Sequence, residues 1–164
     1  MDKIEKIIKV LDLQPHPEGG FFRETYRSQG VINEDSLSVD YSGSRNNSTC
    51  IYFLLTSDSF SAFHRIKQDE IWHFYDGSPL TLYLISPEGD YSTVVVGREL
   101  DEGHVPQYVV PGGYWFGATV EKEYSLVGCT VSPGFDFLDF ELADRNELVL
   151  AYPGLYNEIV GLTR

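Results

Sequence analysis

Cysteine and positive charge are both scarce in this chain. Only Cys50 and Cys129 occur in 164 residues. Two thiols are too few for a disulfide scaffold, and both lie in apolar, strand-like runs, so buried reduced cysteines are expected. Lys and Arg number 12 against 25 Asp and Glu, for a net charge of -13. That balance repels phosphate backbones and argues against a nucleic-acid partner. It leaves an anionic small substrate open, because a local Arg or Lys can reverse the field inside a pocket. No apolar run approaches the ~20 residues of a membrane span. The first residues, Met1 to Lys6, are charged and lack the apolar core of a signal peptide. A cytoplasmic protein with no membrane partner is the expectation. Internal repeats, low-complexity tracts and linkers are missing too, so residues 1–164 read as a single domain.

Aromatic residues are plentiful at 14%, which suits strands and cavity walls alike. Ile4, Ile7, Ile8 and Leu11 recur at helical spacing behind Asp2 as a cap, and Pro15 and Pro17 end that helix. Phe21 to Ser28 reads as a strand with Phe22, Glu24 and Tyr26 on one face and Phe21, Arg23 and Thr25 on the other. Either face can line a polar pocket; pairing with neighbouring strands is the alternative for Arg23 and Glu24. Residues 29–48 are polar and irregular, a long loop holding a short strand at Leu37 to Tyr41, and serve either as a lid or as mobile surface. Short strands follow at Thr49–Thr56, Phe60–Ile66, Glu70–Tyr75, Leu80–Ser86, Tyr91–Val96, Gln107–Val110, Tyr114–Val120 and Glu123–Val131. Phe135, Phe137 and Phe140 pin a loop onto them. Asp144 caps a helix to about Tyr152, and a last helical turn or two covers Asn157 to Leu162. Many short strands with Gly and Pro turns give an all-β sandwich, barrel or jelly roll with short helices at both ends.

The central stretch is Phe60 to Gly77. Its two apolar runs flank Lys67-Gln68-Asp69, the pattern of two antiparallel strands joined tightly. Alternation puts His64 and Ile66 on one face of the first strand, and Glu70, Trp72 and Phe74 on one face of the second. A His and a carboxylate then meet among aromatic rings. His73 faces away. His16 and His104 flank turns and read as surface residues, and Glu18 before Gly19-Gly20 reads as structural.

His64, Glu70 and Gly77 stand at the spacing of the first motif of the cupin jelly rolls, and Pro111-Gly112-Gly113-Tyr114-Trp115-Phe116 fits the frame of the second. Together with Pro15-His16-Pro17-Glu18-Gly19-Gly20 and Pro133-Gly134-Phe135-Asp136-Phe137, the chain resembles one cupin family of uncharacterised function. The resemblance implies an antiparallel cupin jelly-roll barrel, a small-molecule pocket inside it, and a homodimer that covers open sheet edges.

Two functions stay open. One is metal-independent acid/base chemistry on a sugar-like or small polar substrate. It resembles the metal-free sugar-nucleotide epimerases of the same superfamily, with His64 as base, Glu70 orienting it, and Tyr26, Tyr83 or Tyr114 as acid. The other is a non-catalytic ligand-binding module, with Trp72, Phe74 and Phe116 stacking on the ligand and Arg23 or His64 fixing its polar groups. A satisfied internal His64–Glu70 pair with no ligand is the bland alternative.

No metal or other cofactor is expected. Where the resembling motifs carry further ligand histidines, this chain has Ile66 and Phe116, which offer no donor atom. Elemental analysis should return far less than one transition metal per chain, and chelator should leave the melting temperature unchanged. The double variant Ile66→His/Phe116→His should gain metal affinity; one tightly held metal in the wild type, lost in His64→Ala, would contradict this.

Overall fold

The computed structural model describes residues 1–38 and 40–164. The first helix, α1 (Lys3–Leu11), is closed at its start by a reciprocal bond between Asp2 and Glu5. Its end comes at Asp12, in a left-handed conformation at φ 53°, before either proline is reached. Ile4, Ile7, Ile8 and Leu11 cover Leu13, Leu54 and Tyr124, so one greasy stripe both defines the helix and docks it.

Among the described residues thirteen strands follow in chain order: β1 (Gln14–Pro15), β2 (Phe21–Arg27), β3 (Val31–Ile32), β4 (Arg45–Asn46), β5 (Thr49–Thr56), β6 (Ser61–Arg65), β7 (Asp69–Gly77), β8 (Leu80–Ile85), β9 (Tyr91–Val96), β10 (Gln107–Val110), β11 (Trp115–Val120), β12 (Tyr124–Ser132) and β13 (Glu141–Leu142). One sheet runs β1-β2-β5-β12-β7-β10 and the other β13-β6-β11-β8-β9, while β3 and β4 form a separate ribbon in the long loop. All these strand pairs are antiparallel. The jelly roll expected from the sequence is therefore the observed fold. The short strand expected at Leu37 to Tyr41 includes Val39, which lies outside the described residues.

Inner faces of the two sheets meet in a core around Phe53, Trp72, Leu82, Leu84, Phe116 and Val127. The outer face of the five-stranded sheet is roofed by α2 (Arg145–Ala151) and α3 (Tyr156–Gly161), whose Leu148 and Ile159 pack with Phe63, Ile85 and Trp115. Asp144 caps α2 by accepting the Glu147 amide at 3.0 Å.

One expectation is corrected. β6 and β7 do not form a hairpin: β6 pairs with β11 and β13, and β7 with β12 and β10. Lys67-Gln68 carries the chain from one sheet to the other. It has none of the Gly or Asn that a tight hairpin needs for positive φ. Gln68 is also buried, and its amide donates to Asp139 at 2.8 Å and to the Gly134 carbonyl at 3.1 Å. His64 and Glu70 thus face each other from opposite sheets.

Asp139 is the hub of a buried ion pair. Arg45 reaches it with two parallel bonds of 2.8 and 2.7 Å, and both side chains are almost wholly out of water. A third guanidinium nitrogen donates to the Ser42 and Ser44 carbonyls at 2.9 Å. The polar loop, the β6–β7 crossing and the aromatic segment 135–140 are tied at this point. Arg45→Met should cost about 3–5 kcal/mol in urea unfolding, because it strands a buried carboxylate. Arg45→Met/Asp139→Leu should recover most of that loss; equal losses in the single and double variants would refute the pairing as the cause.

Candidate functional site

Between the sheets, at one end of the barrel, the core gives way to a cavity of about 310 Å³. Its polar lining comes from His16, Glu18, Glu24, Arg27, His64 and Glu70, with Asp136 on the rim. Phe22, Phe135, Phe137 and Phe140 supply aromatic wall, and Ile66 and Val131 aliphatic wall. Trp72, two residues inward from Glu70, is buried in the core beneath.

Glu18 is the centre of the polar cluster. One carboxylate oxygen lies 3.2 Å from His16 Nδ1 and the other 3.2 Å from His64 Nε2. The second oxygen also accepts the Ser61 hydroxyl. The turn that delivers Glu18 needs Gly19: its φ is +112°, and a Cβ there would stand 2.2 Å from the Phe60 carbonyl oxygen. The Glu18 carbonyl accepts from the Ala62 amide at 2.8 Å and from Arg164 at 2.9 Å, which fixes the segment against β6.

Proton positions follow from these partners. His64 Nδ1 lies 2.7 Å from the Ala62 carbonyl, which only accepts, so Nδ1 carries a proton. His16 Nδ1 accepts the Glu18 amide at 3.1 Å, so it does not. A neutral His64 would therefore turn its Nε2 lone pair toward an oxygen of Glu18, while the His16 Nδ1 lone pair is already engaged by the Glu18 amide. A proton must sit in the cluster, on the carboxyl or on a ring. Burial pushes the Glu18 pKa up, and burial pushes both His16 and His64 down, which favours the carboxyl as its holder.

Glu70 faces the same cavity from β7. Burial, then the nearby Glu18 charge, raise its pKa to about 7, against smaller opposing effects of His64 and a hydrogen bond from Cys129. The Cys129 thiol is itself driven up by burial and by Glu70. A carboxyl half-ionised at neutral pH can accept or give a proton without a large penalty.

Two β-bulges decide which side chains arrive here. On β2, Glu24 pairs with Ile51 but Tyr26 pairs with Cys50, so Thr25 is the extra residue. The face then switches: Tyr26 is turned out to solvent and Arg27 lines the cavity. Arg27 grips Glu24 with bonds of 2.6 and 3.2 Å and also donates to Asn46 at 2.8 Å and the Phe135 carbonyl at 3.0 Å. On β6, Ser61 and His64 pair with Ala118 and Phe116, three residues against two. That extra residue lets both reach Glu18, which a regular strand forbids.

Of the residues singled out in the sequence, the structure brings His64, Glu70 and Glu24 together. Arg23 lies outside, donating to the Leu11 carbonyl at 3.2 Å. Tyr26 is exposed, and Phe74 sits under Arg98 on the far side of Trp72. Tyr83 lines a second, shallower hollow and bonds Thr119 at 3.1 Å. Tyr114 packs against the core, away from the cavity. Phe116 stands behind His64, with ring centroids 4.1 Å apart. The carboxylate against His64 is Glu18, where the sequence suggested Glu70. His16 is not a surface residue: its side chain is 6% exposed. Its fixed spacing to Glu18 across Pro17 was the available signal, but turn composition pointed outward. Arg27 and Asp136 had no such signal.

Comparison with known proteins settles the family. The family described as Cupin superfamily (DUF985) matches residues 5–143. The chain belongs to it. This cupin is 34% identical over 147 residues to an uncharacterised protein of Saccharomyces cerevisiae, covering 83% of this chain and 73% of that one. A crystal structure from Shewanella oneidensis superposes with a TM-score of 0.87 at 42% identity, covering 100% of this chain and 99% of the other. A hypothetical protein from Leishmania major gives 0.89 at 37%, covering 99% of each. Oxalate decarboxylase from Bacillus subtilis gives 0.56 at 12%, over 92% of this cupin and 37% of that chain, a likeness of fold alone.

The donor set does not fit a cupin metal. Ile66 is cavity wall, Phe116 is packed on His64, and among the described residues no three His, Cys, Asp or Glu are grouped to hold an ion. Nor is any helix among them long and apolar enough to cross a membrane.

Glu70 carries a pH signature. Its folded pKa of about 7 exceeds the ordinary 4.5. Between those values the folded state keeps a proton that the unfolded state has released, so Glu70 costs stability as pH rises, by about 3 kcal/mol in all. Glu70→Gln should therefore become more stable relative to wild type from pH 5 to pH 8 in urea titrations. A constant difference across that range would show that Glu70 titrates normally.

Proposed function

We propose that this cupin is a metal-independent acid/base enzyme of the epimerase or isomerase type, acting on a sugar-like or small polar substrate in the cavity. One observation carries the reading: the Glu18–His64 contact of 3.2 Å, with His64 Nδ1 anchored on a carbonyl, needs a shared proton beside a second, half-ionised carboxyl. In this scheme Glu70 takes a proton from carbon next to a carbonyl. The C–H electron pair moves into a C=C bond, and the carbonyl oxygen receives the proton held by Glu18 and His64. A proton then returns to carbon, on the same or the neighbouring centre, while an enol hydroxyl gives its proton back to the Glu18–His64 cluster and the C=O bond re-forms; this completes epimerisation or isomerisation with no net redox change. His64 and Glu70 are the catalytic residues of the scheme. Among the described residues no tyrosine lines the cavity, so the acid is taken from the His64 cluster.

The unit we propose is a cytoplasmic homodimer, joined through the outward face of the six-stranded sheet, where Tyr26, Tyr75 and Val109 are exposed; sedimentation at micromolar concentration reads its mass. The aromatic wall also supports the non-catalytic binding module, and one assay separates the two. In D2O, wild type should place deuterium on carbon of a responsive sugar or small keto compound. His64→Ala and Glu70→Gln should each slow this at least about a hundredfold with the fold retained. A compound that raises the melting temperature yet never acquires deuterium would leave the binding module and remove the enzyme.

A further inference from the structure

Among the described residues, four acidic side chains and one permanent cation line the cavity. Arg27 has four of its five N–H groups engaged, on both oxygens of Glu24, on Asn46 and on the Phe135 carbonyl. Its charge is already matched by Glu24. Among the described residues, Glu18, Glu70 and Asp136 have no Lys or Arg within ion-pair distance. Glu70 is nine-tenths buried, at 9% exposure, and opens on the cavity with only the weak thiol donor of Cys129 as a partner. Glu18 and Glu70 oppose each other's ionisation. Such a group of acids lacks a cation, and the spacing of its donors does not suit a metal ion.

Four phenylalanines supply the aromatic part of the wall. Phe135, Phe137 and Phe140 stand with centroids 4.9 to 6.4 Å apart, and Phe22 closes on His16 at 4.6 Å. Aromatic rings beside acidic groups are the chemistry that holds an organic cation. The net charge of -13 draws cations toward it. A cavity of about 310 Å³ fits a compound of hexose size and has no room for a nucleotide diphosphate as well.

We infer that the cavity takes a small organic ammonium compound, such as an amino sugar or a choline-sized amine, with the cationic head between the free carboxylates and the phenylalanine faces. This rests on the acid/base reading only in treating the same cavity as the substrate site.

The test compares molecules of one shape and different charge. Binding is followed on the His16 and His64 imidazole signals by NMR, for choline against 3,3-dimethylbutan-1-ol and for glucosamine against glucose and gluconate. At least one cation should bind about tenfold or more tightly than its neutral counterpart, with gluconate weakest. Glu70→Gln and Asp136→Asn should each erode that preference, lowering the cation's affinity more than the neutral compound's. Equal binding of cation and neutral compound, tighter binding of gluconate, or no response to either cation up to about 100 mM would overturn the inference. Charge preference without deuterium incorporation would sink the enzyme and keep the ammonium site. Deuterium incorporation into an uncharged compound without charge preference would do the reverse.

Discussion

A carboxylate buried between two imidazoles governs this end of the barrel. Glu18 is out of water, and among the described residues no lysine or arginine lies within ion-pair distance of its carboxyl, although the Arg164 charge nearby favours its ionised form; leaving it ionised and unpaired would cost several kcal/mol. The fold answers with geometry. A glycine turn brings Glu18 in, Arg164 and the Ala62 amide hold its backbone, and Ser61, His16 and His64 surround its oxygens. Each of those partners is itself placed by the need to meet Glu18. The proton shared between Glu18 and His64 is a consequence of the arrangement, because the Nε2 lone pair of a neutral His64 and an ionised carboxylate cannot otherwise coexist at 3.2 Å.

Strand alternation made much of the fold legible. Thr49–Thr56 and Tyr91–Val96 appear with the boundaries read from composition, and the capped first helix lies where its apolar stripe predicts. His64 and Glu70 were legible for the same reason, since each is the polar member of an apolar strand face. What alternation could not reveal is where it is interrupted. The Thr25 bulge exchanges Tyr26 for Arg27, and the β6 bulge aligns Ser61 with His64. A bulge leaves no reliable mark in composition, yet it reverses every face assignment beyond it. The β6–β7 crossing failed for a related reason: a short charged link looks the same whether it joins neighbours in one sheet or spans two.

The aromatic segment gains its meaning from the ion pair behind it. Asp139 lies between Phe137 and Phe140, so the Arg45–Asp139 fork fixes a rim whose rings face the cavity. Gln68 binds the same aspartate from the sheet crossing, and Arg27 holds the Phe135 carbonyl from β2. The rim is thus fastened to both sheets and to the polar loop through charged groups. Its rings remain free to serve as wall, since none of them supplies the fastening.

Ile66 and Phe116 link the missing metal chemistry to the proton chemistry that remains. Neither offers a donor, and both fill space: Ile66 as cavity wall, Phe116 as a ring against His64. Apolar side chains at these places remove water and polarisable ligands from around Glu70 and Glu18. A bound divalent ion would hold such carboxylates ionised and draw their pKa values down. With hydrocarbon in its place the dominant effect is desolvation, and both carboxyls move up, Glu70 to about 7. The same two side chains that take away the means to bind a metal ion therefore belong to the apolar surroundings that hold Glu70 at a pKa of about 7, where it exchanges protons at neutral pH.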